Sequence, residues 1–186
     1  MGAGKTTIGR FLASSLDLEF VDLDAEIEQR CGANIPWIFD VEGEDGFRRR
    51  EGQLLEEITT GKGILLATGG GVILGEHNRE LLKNRGFVVY LNASVDQLLE
   101  RTAHDRNRPL LQVDNPRAII EALLTDRDPL YREVADLVVM TERRKPQLVA
   151  EDIVTEVRHL MSRCGTFQTK FNGRKIHCGK NKKAYG

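Results

Sequence analysis

Met1-Gly2-Ala3-Gly4-Lys5-Thr6-Thr7 is the stretch on which the fold turns. It matches the second half of the phosphate-loop pattern G-x-x-x-x-G-K-[ST]. Behind it, Ile8, Phe11, Leu12 and Leu16 recur with helical period, so the loop opens a helix over Thr6–Leu16. Glycines let successive backbone N–H groups curl around phosphates without Cβ clashes. The helix N-terminus adds the positive end of its dipole. Lys5 can reach the β- and γ-phosphates of a nucleotide, and the Thr6 hydroxyl can ligate Mg²⁺. Gly2, Ala3, Gly4, Lys5, Thr6 and Thr7 are thus the candidate phosphate cradle. The bland alternative is a Gly-rich helix start with an incidental lysine. The pattern's first glycine would precede Met1, as would the strand that leads into such loops. That strand is normally central in the sheet, and this reading expects it to be missing from the chain. Loss of a central buried strand is expected to cost several kcal/mol, against a total stability of about 5–15 kcal/mol.

Outward from the loop, short apolar runs alternate with helical patterns. Strands are expected at Glu19–Leu23, Gly63–Thr68, Gly86–Leu91 and Leu137–Thr141. The second, GILLAT, is apolar enough to be buried on both faces. Helices are expected at Asp24–Cys31, Pro36–Val41, Glu44–Thr60, His77–Asn84, Val95–Arg106, Pro116–Tyr131 (interrupted near Pro129) and Pro146–Met161. Alternation of this kind predicts an α/β fold, a parallel sheet flanked by helices in three layers.

Asp22 and Asp24 close the first visible strand in V-D-L-D, at the carboxyl end where open α/β sheets bind ligands. Period-2 spacing puts both carboxylates on one side of the strand. One can hold Mg²⁺ or its water, and the other can orient or deprotonate a substrate hydroxyl. The alternative makes Asp24 an N-cap for the following helix.

At this point whole blocks of the chain become distinctive. MGAGKTTIGRFLA, EFVDLDAEIE, the segment Ile35–Arg49, LLATGGGVI, RPLL and RDPLYREVAD resemble shikimate kinase, in family order from Met1 to about Met161. The resemblance implies a P-loop kinase fold like that of nucleoside monophosphate kinases. It implies transfer of phosphate from ATP to the 3-hydroxyl of shikimate, giving 3-phosphoshikimate and ADP in chorismate and aromatic amino acid biosynthesis. It implies one Mg²⁺ per subunit, held near Thr6 and Asp22, and Asp24 on the acceptor hydroxyls. Arg48, after Phe47, matches the arginine that grips the substrate carboxylate, for which a guanidinium fork is suited. Arg127, in D-R-D-P-L-Y, matches the second carboxylate arginine. Gly70, in the middle of Gly69-Gly70-Gly71, matches the residue that offers its backbone N–H to the substrate. Arg108, before Pro109, matches the arginine of a mobile lid over about 106–117, which closes on ATP and neutralises charge on the transferred group. Helices over about 24–60 would bind the acceptor. Glu142-Arg143-Arg144 lies where such kinases contact adenine, and Trp37 resembles an aromatic beside the shikimate pocket. Without the resemblance, Arg48 and Arg127 read as solvated surface arginines, and Trp37 and Cys31 as packing residues. His77 and His104 read as surface helix residues.

Two alternatives stay open on these residues. One is a related P-loop kinase for another small acid, of gluconate type. The other is an N-terminally truncated nucleotide-binding protein with impaired catalysis. The discriminator among kinases of this fold is the trio Arg48, Gly70 and Arg127, since two arginines aimed at one carboxylate favour a carboxylated acceptor over a neutral one.

Composition bounds the rest. The 186 residues suit one α/β domain over 1–161. Net charge is -1, but residues 162–186 carry seven Lys/Arg and no acid, leaving 20 basic against 28 acidic residues elsewhere. Residues 162–186, rich in Gly, Asn and Lys, are expected to be a disordered, non-family tail. Cys164, His177 and Cys178 match no zinc pattern. Three cysteines form no disulfide framework and suit a reducing cytosol. No apolar run approaches the length of a membrane span. The expectation is a cytoplasmic monomer whose partners are shikimate and ATP, with no membrane or nucleic-acid partner.

Overall fold

A computed structural model describes residues 2–102 and 115–163. Its elements run α1 (Lys5–Leu16), β1 (Glu19–Asp22), α2 (Leu23–Cys31), α3 (Ile35–Ile58), β2 (Ile64–Ala67), a 3₁₀ turn (Val72–Leu74), α4 (Glu76–Arg85), β3 (Val89–Asn92), α5 (Val95–Thr102), α6 (Pro116–Val134), β4 (Leu137–Met140) and α7 (Pro146–Arg163).

Local chemistry explains the boundaries. α1 starts on Gly4, whose φ of 87° lies in the left-handed region that favours glycine. Asn34 caps α3 by accepting from the Trp37 amide at 2.9 Å, with Pro36 in the first turn where it costs no hydrogen bond. Gly43, at φ 70° and ψ -178°, breaks α3 into the two helical pieces expected on either side of it. Asn115 caps α6 in the same way, accepting from the Ala118 amide. One expectation fails here, because α6 runs unbroken through Pro129 to Val134. A proline removes one backbone bond, and Tyr131, anchored just beyond it, holds the last turn in place. Its ring stacks on Tyr90 at 4.8 Å.

The strands form two parallel pairs, β1 with β2 and β3 with β4. Helices α1 and α7 supply one shared apolar layer under both pairs. Ile8, Leu12, Val149 and Ile153 are buried there against Leu65 of one pair and Val89, Leu91 and Val139 of the other. Each fully buried Ile or Leu contributes about 1.5–3 kcal/mol. A second core joins α2, α3 and α4 through Leu23, Ile27, Ile38, Leu55 and Leu81, with Cys31 packed at its edge. It fixes the helices that carry the acidic and arginine side chains of the site. Three of the four residues of β2 are only half-buried, against the expectation of burial on both faces. The reason is a cavity of about 870 Å³ that β2 and β3 both line. At the outer edge, β4 alternates, leaving Val138 and Met140 exposed.

Candidate active site

The phosphate side is made mostly of backbone. Gly4 opens α1 with no side-chain cap, so the first amides of the helix point out from its N-terminus. The Thr6 hydroxyl donates to Asp22 Oδ2 at 2.9 Å, which ties the loop to the end of β1. Arg101, on α5, donates from Nη1 to the Gly2 carbonyl at 3.0 Å. Nothing in the local sequence flagged Arg101, because its partner lies 99 residues away. A pocket of about 200 Å³ beside the loop is lined by Gly4, Thr7, Arg101, Thr141 and Arg144 among others. Of the Glu142-Arg143-Arg144 group, it is Arg144 that reaches this pocket, with its guanidinium braced on Asp152 at 2.5 Å.

The two aspartates differ from expectation in their placement. β1 ends at Asp22, and α2 starts at Leu23, so Asp24 stands in the first helical turn and not on the strand. The period-2 argument therefore does not hold. The cap is Asp22, which accepts from the Asp24 amide at 3.2 Å. A helix start straight after Asp22 gives each carboxylate its own direction. Asp22 faces Thr6, and Asp24 faces the triple glycine.

The acceptor side is made of charged side chains. A Cβ on Gly69 would stand 2.8 Å from Asp24 Oδ1 and 3.2 Å from Glu51 Oε1, and one on Gly71 would overlap the Arg48 guanidinium. Glycine is required there because the protein's own charged groups press on the backbone. Arg48 donates to Glu51 Oε2 at 2.7 Å and to Glu44 Oε1 at 3.1 Å, and it lies over the Phe47 ring at 5.2 Å. Glu51 is fully buried, and its Oε1 has no hydrogen-bond partner among the described residues. Burial pushes its carboxyl above the ordinary range, with the Asp24 charge adding to the push while Arg48 and Arg127 oppose it. Arg127, on α6, carries its charge beside both Glu51 and Tyr131. The Tyr131 hydroxyl donates to the Gly70 carbonyl at 2.6 Å. Burial raises its pKa. So the structure brings Asp24, Arg48, Gly70 and Arg127 close together. Glu51 and Tyr131 are additions. The R-x-x-E spacing from Arg48 was a signal for Glu51, since i and i+3 share a helix face. The i, i+4 step from Arg127 was one for Tyr131.

Lys5, Gly69, Gly70, Arg127 and Tyr131 line the same large cavity, which brings the two sides together. Arg108, Arg106, His104 and most of the expected lid lie outside the described residues, as does the segment after Arg163 with Cys164, His177 and Cys178. Trp37 is 54% exposed. His77 is also exposed, with Nε2 3.6 Å from Glu56. Among the described residues, no group of three or more His, Cys, Asp or Glu is placed to hold a metal, and no helix is long and apolar enough to cross a membrane. The oxygen pair Thr6–Asp22 suits Mg²⁺, a hard cation that keeps waters and phosphates as its other ligands.

Comparison with known proteins agrees with this geometry. The shikimate kinase family model matches residues 1–158. The shikimate kinase of Pseudomonas paraeruginosa is 58% identical over 163 residues, covering 88% of this chain and 95% of that protein. That of Chromohalobacter salexigens is 56% identical over 160 residues, covering 86% and 89%. Among solved structures, a shikimate kinase from Acinetobacter baumannii in complex with shikimate shares 52% identity and a TM-score of 0.83, covering 86% of this chain and 89% of that one. One from Bacteroides thetaiotaomicron shares 32% identity and a TM-score of 0.78, covering 87% and 94%. With the motifs, the convergent arginines and these likenesses in agreement, the chain belongs to the shikimate kinase family.

Proposed function

We propose that the chain phosphorylates the 3-hydroxyl of shikimate with the γ-phosphoryl group of ATP, and that the residues above divide the work as follows. The single supporting observation is the convergence of Arg48 and Arg127 on the Gly69–Gly71 loop beside Asp24. Two guanidinium groups suit one carboxylate, and the neighbouring carboxylate suits hydroxyls. A gluconate-type acceptor also offers a carboxylate and hydroxyls, and what favours shikimate over it is the match to the shikimate kinase family. Arg48 exchanges part of its bonding with Glu51 and Glu44 for the substrate carboxylate. Arg127 binds from the opposite side. The Gly70 N–H holds the substrate, and Tyr131 fixes that peptide by its other end. Asp24 accepts a hydrogen bond from the acceptor hydroxyl and takes its proton as the new P–O bond forms and the bond from the γ-phosphorus to the bridging oxygen breaks, releasing ADP.

On the phosphate side, Gly2, Ala3, Gly4, Thr6 and Thr7 cradle the nucleotide phosphates, and Lys5 spans the β- and γ-phosphates. Thr6 and Asp22 would hold Mg²⁺, which when bound neutralises phosphate charge. Arg108 is assigned to the lid on the R-P-L-L resemblance alone. Residues 24–60 act as the acceptor-binding helices within a kinase domain over 1–161. The test is ADP release from ATP in the presence of shikimate, of gluconate and of no acceptor. Turnover is expected with shikimate only. Equal ADP release in all three, or preference for gluconate, overturns the assignment.

A further inference from the structure

Each carbonyl of the Gly69–Gly71 loop is engaged. Gly69 accepts from the Val72 amide at 3.4 Å, Gly70 from the Tyr131 hydroxyl at 2.6 Å and Gly71 from the Leu74 amide at 3.0 Å. Two of these bonds come from the 3₁₀ turn, so the loop is only as fixed as that turn. A single 3₁₀ turn has poor bond geometry of its own. Its carbonyls are held from outside, by two neighbouring side chains of α4. Asn78 donates from Nδ2 to the Val72 carbonyl at 3.1 Å. Arg79 donates from Nη1 to the carbonyls of Ile73 at 3.0 Å and Leu74 at 3.2 Å.

The same two side chains reach the helices that carry the other acceptor groups. Asn78 is buried, and a Cβ on Gly52 would stand 3.1 Å from its Oδ1. It is therefore wedged against α3 next to Glu51, on the helix of Arg48. The Arg79 side chain is 18% exposed, and its Nε lies 3.6 Å from Glu133 Oε2 on α6, the helix of Arg127 and Tyr131. Lys83, one turn further along α4, bonds the other oxygen of Glu133. A largely buried guanidinium is costly without a counter-charge, so Arg79 is bound to α6 as well as to the turn. A rigid planar fork can serve both at once, and a lysine's single point charge cannot.

We propose that Asn78 and Arg79 form a bracket that sets the Gly70 N–H against Arg48 and Arg127, with Arg79 as a positioning residue for the acceptor. Arg79 acts through the turn, the glycine loop and α6, and touches no reacting atom. The bracket's bonds lead to the acceptor side, so loosening it weakens acceptor binding and spares the nucleotide. The kinetic expectation rests on the proposed reaction with shikimate. The bracket itself rests on the bonds to the turn.

The test compares Arg79→Gln, Arg79→Lys and Glu133→Gln with the native chain. Glu133 is exposed, so its variant spares the fold. The readouts are KM for shikimate and for ATP, Tm, and hydrogen exchange at the Val72 and Leu74 amides. Arg79→Gln should raise the KM for shikimate about tenfold and leave that for ATP within about twofold. Exchange at Val72 and Leu74 should quicken while exchange in α1 stays the same. Arg79→Lys keeps a charge facing Glu133 and should fall between Gln and native. Glu133→Gln should raise the KM for shikimate about two- to threefold. Equal rises in both KM values, or a lower Tm with both unchanged, overturn the proposal, because Arg79 would then be structural only. If Arg79→Gln does not fold, Glu133→Gln decides, and an unchanged KM for shikimate overturns the proposal. A native chain that does not turn over shikimate defeats the proposed reaction instead. The bracket is then decided by exchange alone, and unchanged rates at Val72 and Leu74 overturn it.

Discussion

The phosphate side and the acceptor side solve different problems with different materials. The first presents backbone amides and one lysine around Gly4, and needs few compensating charges when empty. The second gathers Asp24, Arg48, Glu51 and Arg127 around three glycines, and each must be balanced by the others even without substrate. Damage to the first should therefore appear in turnover alone. Damage to the second should appear in both turnover and stability.

The largest effect is expected on the phosphate side. Lys5→Met removes the cation that the proposed mechanism sets against the transferred phosphoryl group. Loss of one such preorganised group lowers kcat by about 10²–10³-fold. The melting temperature should change little, because Lys5 is only half-buried. A Tm drop as large as the one for Arg48→Ala would erase the contrast between the two sides.

Arg48→Ala is expected to fail twice. It removes the proposed charged partner of the shikimate carboxylate, worth about 2–5 kcal/mol when a buried charge pair is broken at a binding surface. It also strands Glu51, whose carboxylate is fully buried and bonded to Arg48 at 2.7 Å. Breaking a buried pair by deleting one partner destabilises by about 3–5 kcal/mol. Arg48→Ala combined with Glu51→Gln should recover much of the stability and none of the shikimate affinity, as read by denaturant unfolding and substrate titration. Recovery of both would mean that Arg48 acts only on Glu51.

Glu51 also gives the site a pH signature. Its folded carboxyl titrates above the unfolded one, chiefly because burial disfavours the charged form. Between those two values the folded state holds the extra proton, so this group favours folding at low pH. Its contribution falls as pH rises from the unfolded value, near 4.3, to the folded one. The difference in unfolding free energy between the native chain and Glu51→Gln should carry that slope and flatten above it. A difference that grows in the native chain's favour with rising pH would reverse the sign and refute the buried-carboxylate account.

These residues also mark how much could be read without the structure. The phosphate loop was legible because its chemistry is local, with consecutive amides, a lysine and a hydroxyl. The helix–strand alternation was legible for the same reason. Arg48, Gly70 and Arg127 were legible only through the family resemblance, since nothing local separates them from solvated arginines or a flexible turn. Asp24 was singled out on a false geometric premise, because the strand ends two residues earlier. Long-range partnerships were not legible. Arg101 on the Gly2 carbonyl, and the cavity that exposes β2, depend on segments brought together only by folding.

The smallest effect, and the sharpest probe of the comparison, is expected from Tyr131→Phe. The ring packs against Tyr90, and the substitution keeps that stacking. Only the hydroxyl is lost, and with it the 2.6 Å bond to the Gly70 carbonyl. A single net hydrogen bond is worth about 0.5–1.5 kcal/mol, so the Gly70 peptide should loosen without the fold giving way. Its N–H faces the acceptor in the proposed mechanism, and the KM for shikimate should therefore rise about two- to tenfold. The KM for ATP should stay unchanged, because the lost hydroxyl is bonded to the Gly70 carbonyl on the acceptor side. Equal rises in both constants would mean that Tyr131 supports the cavity shared by the two sides. A lower Tm with both constants unchanged would reduce it to a packing residue.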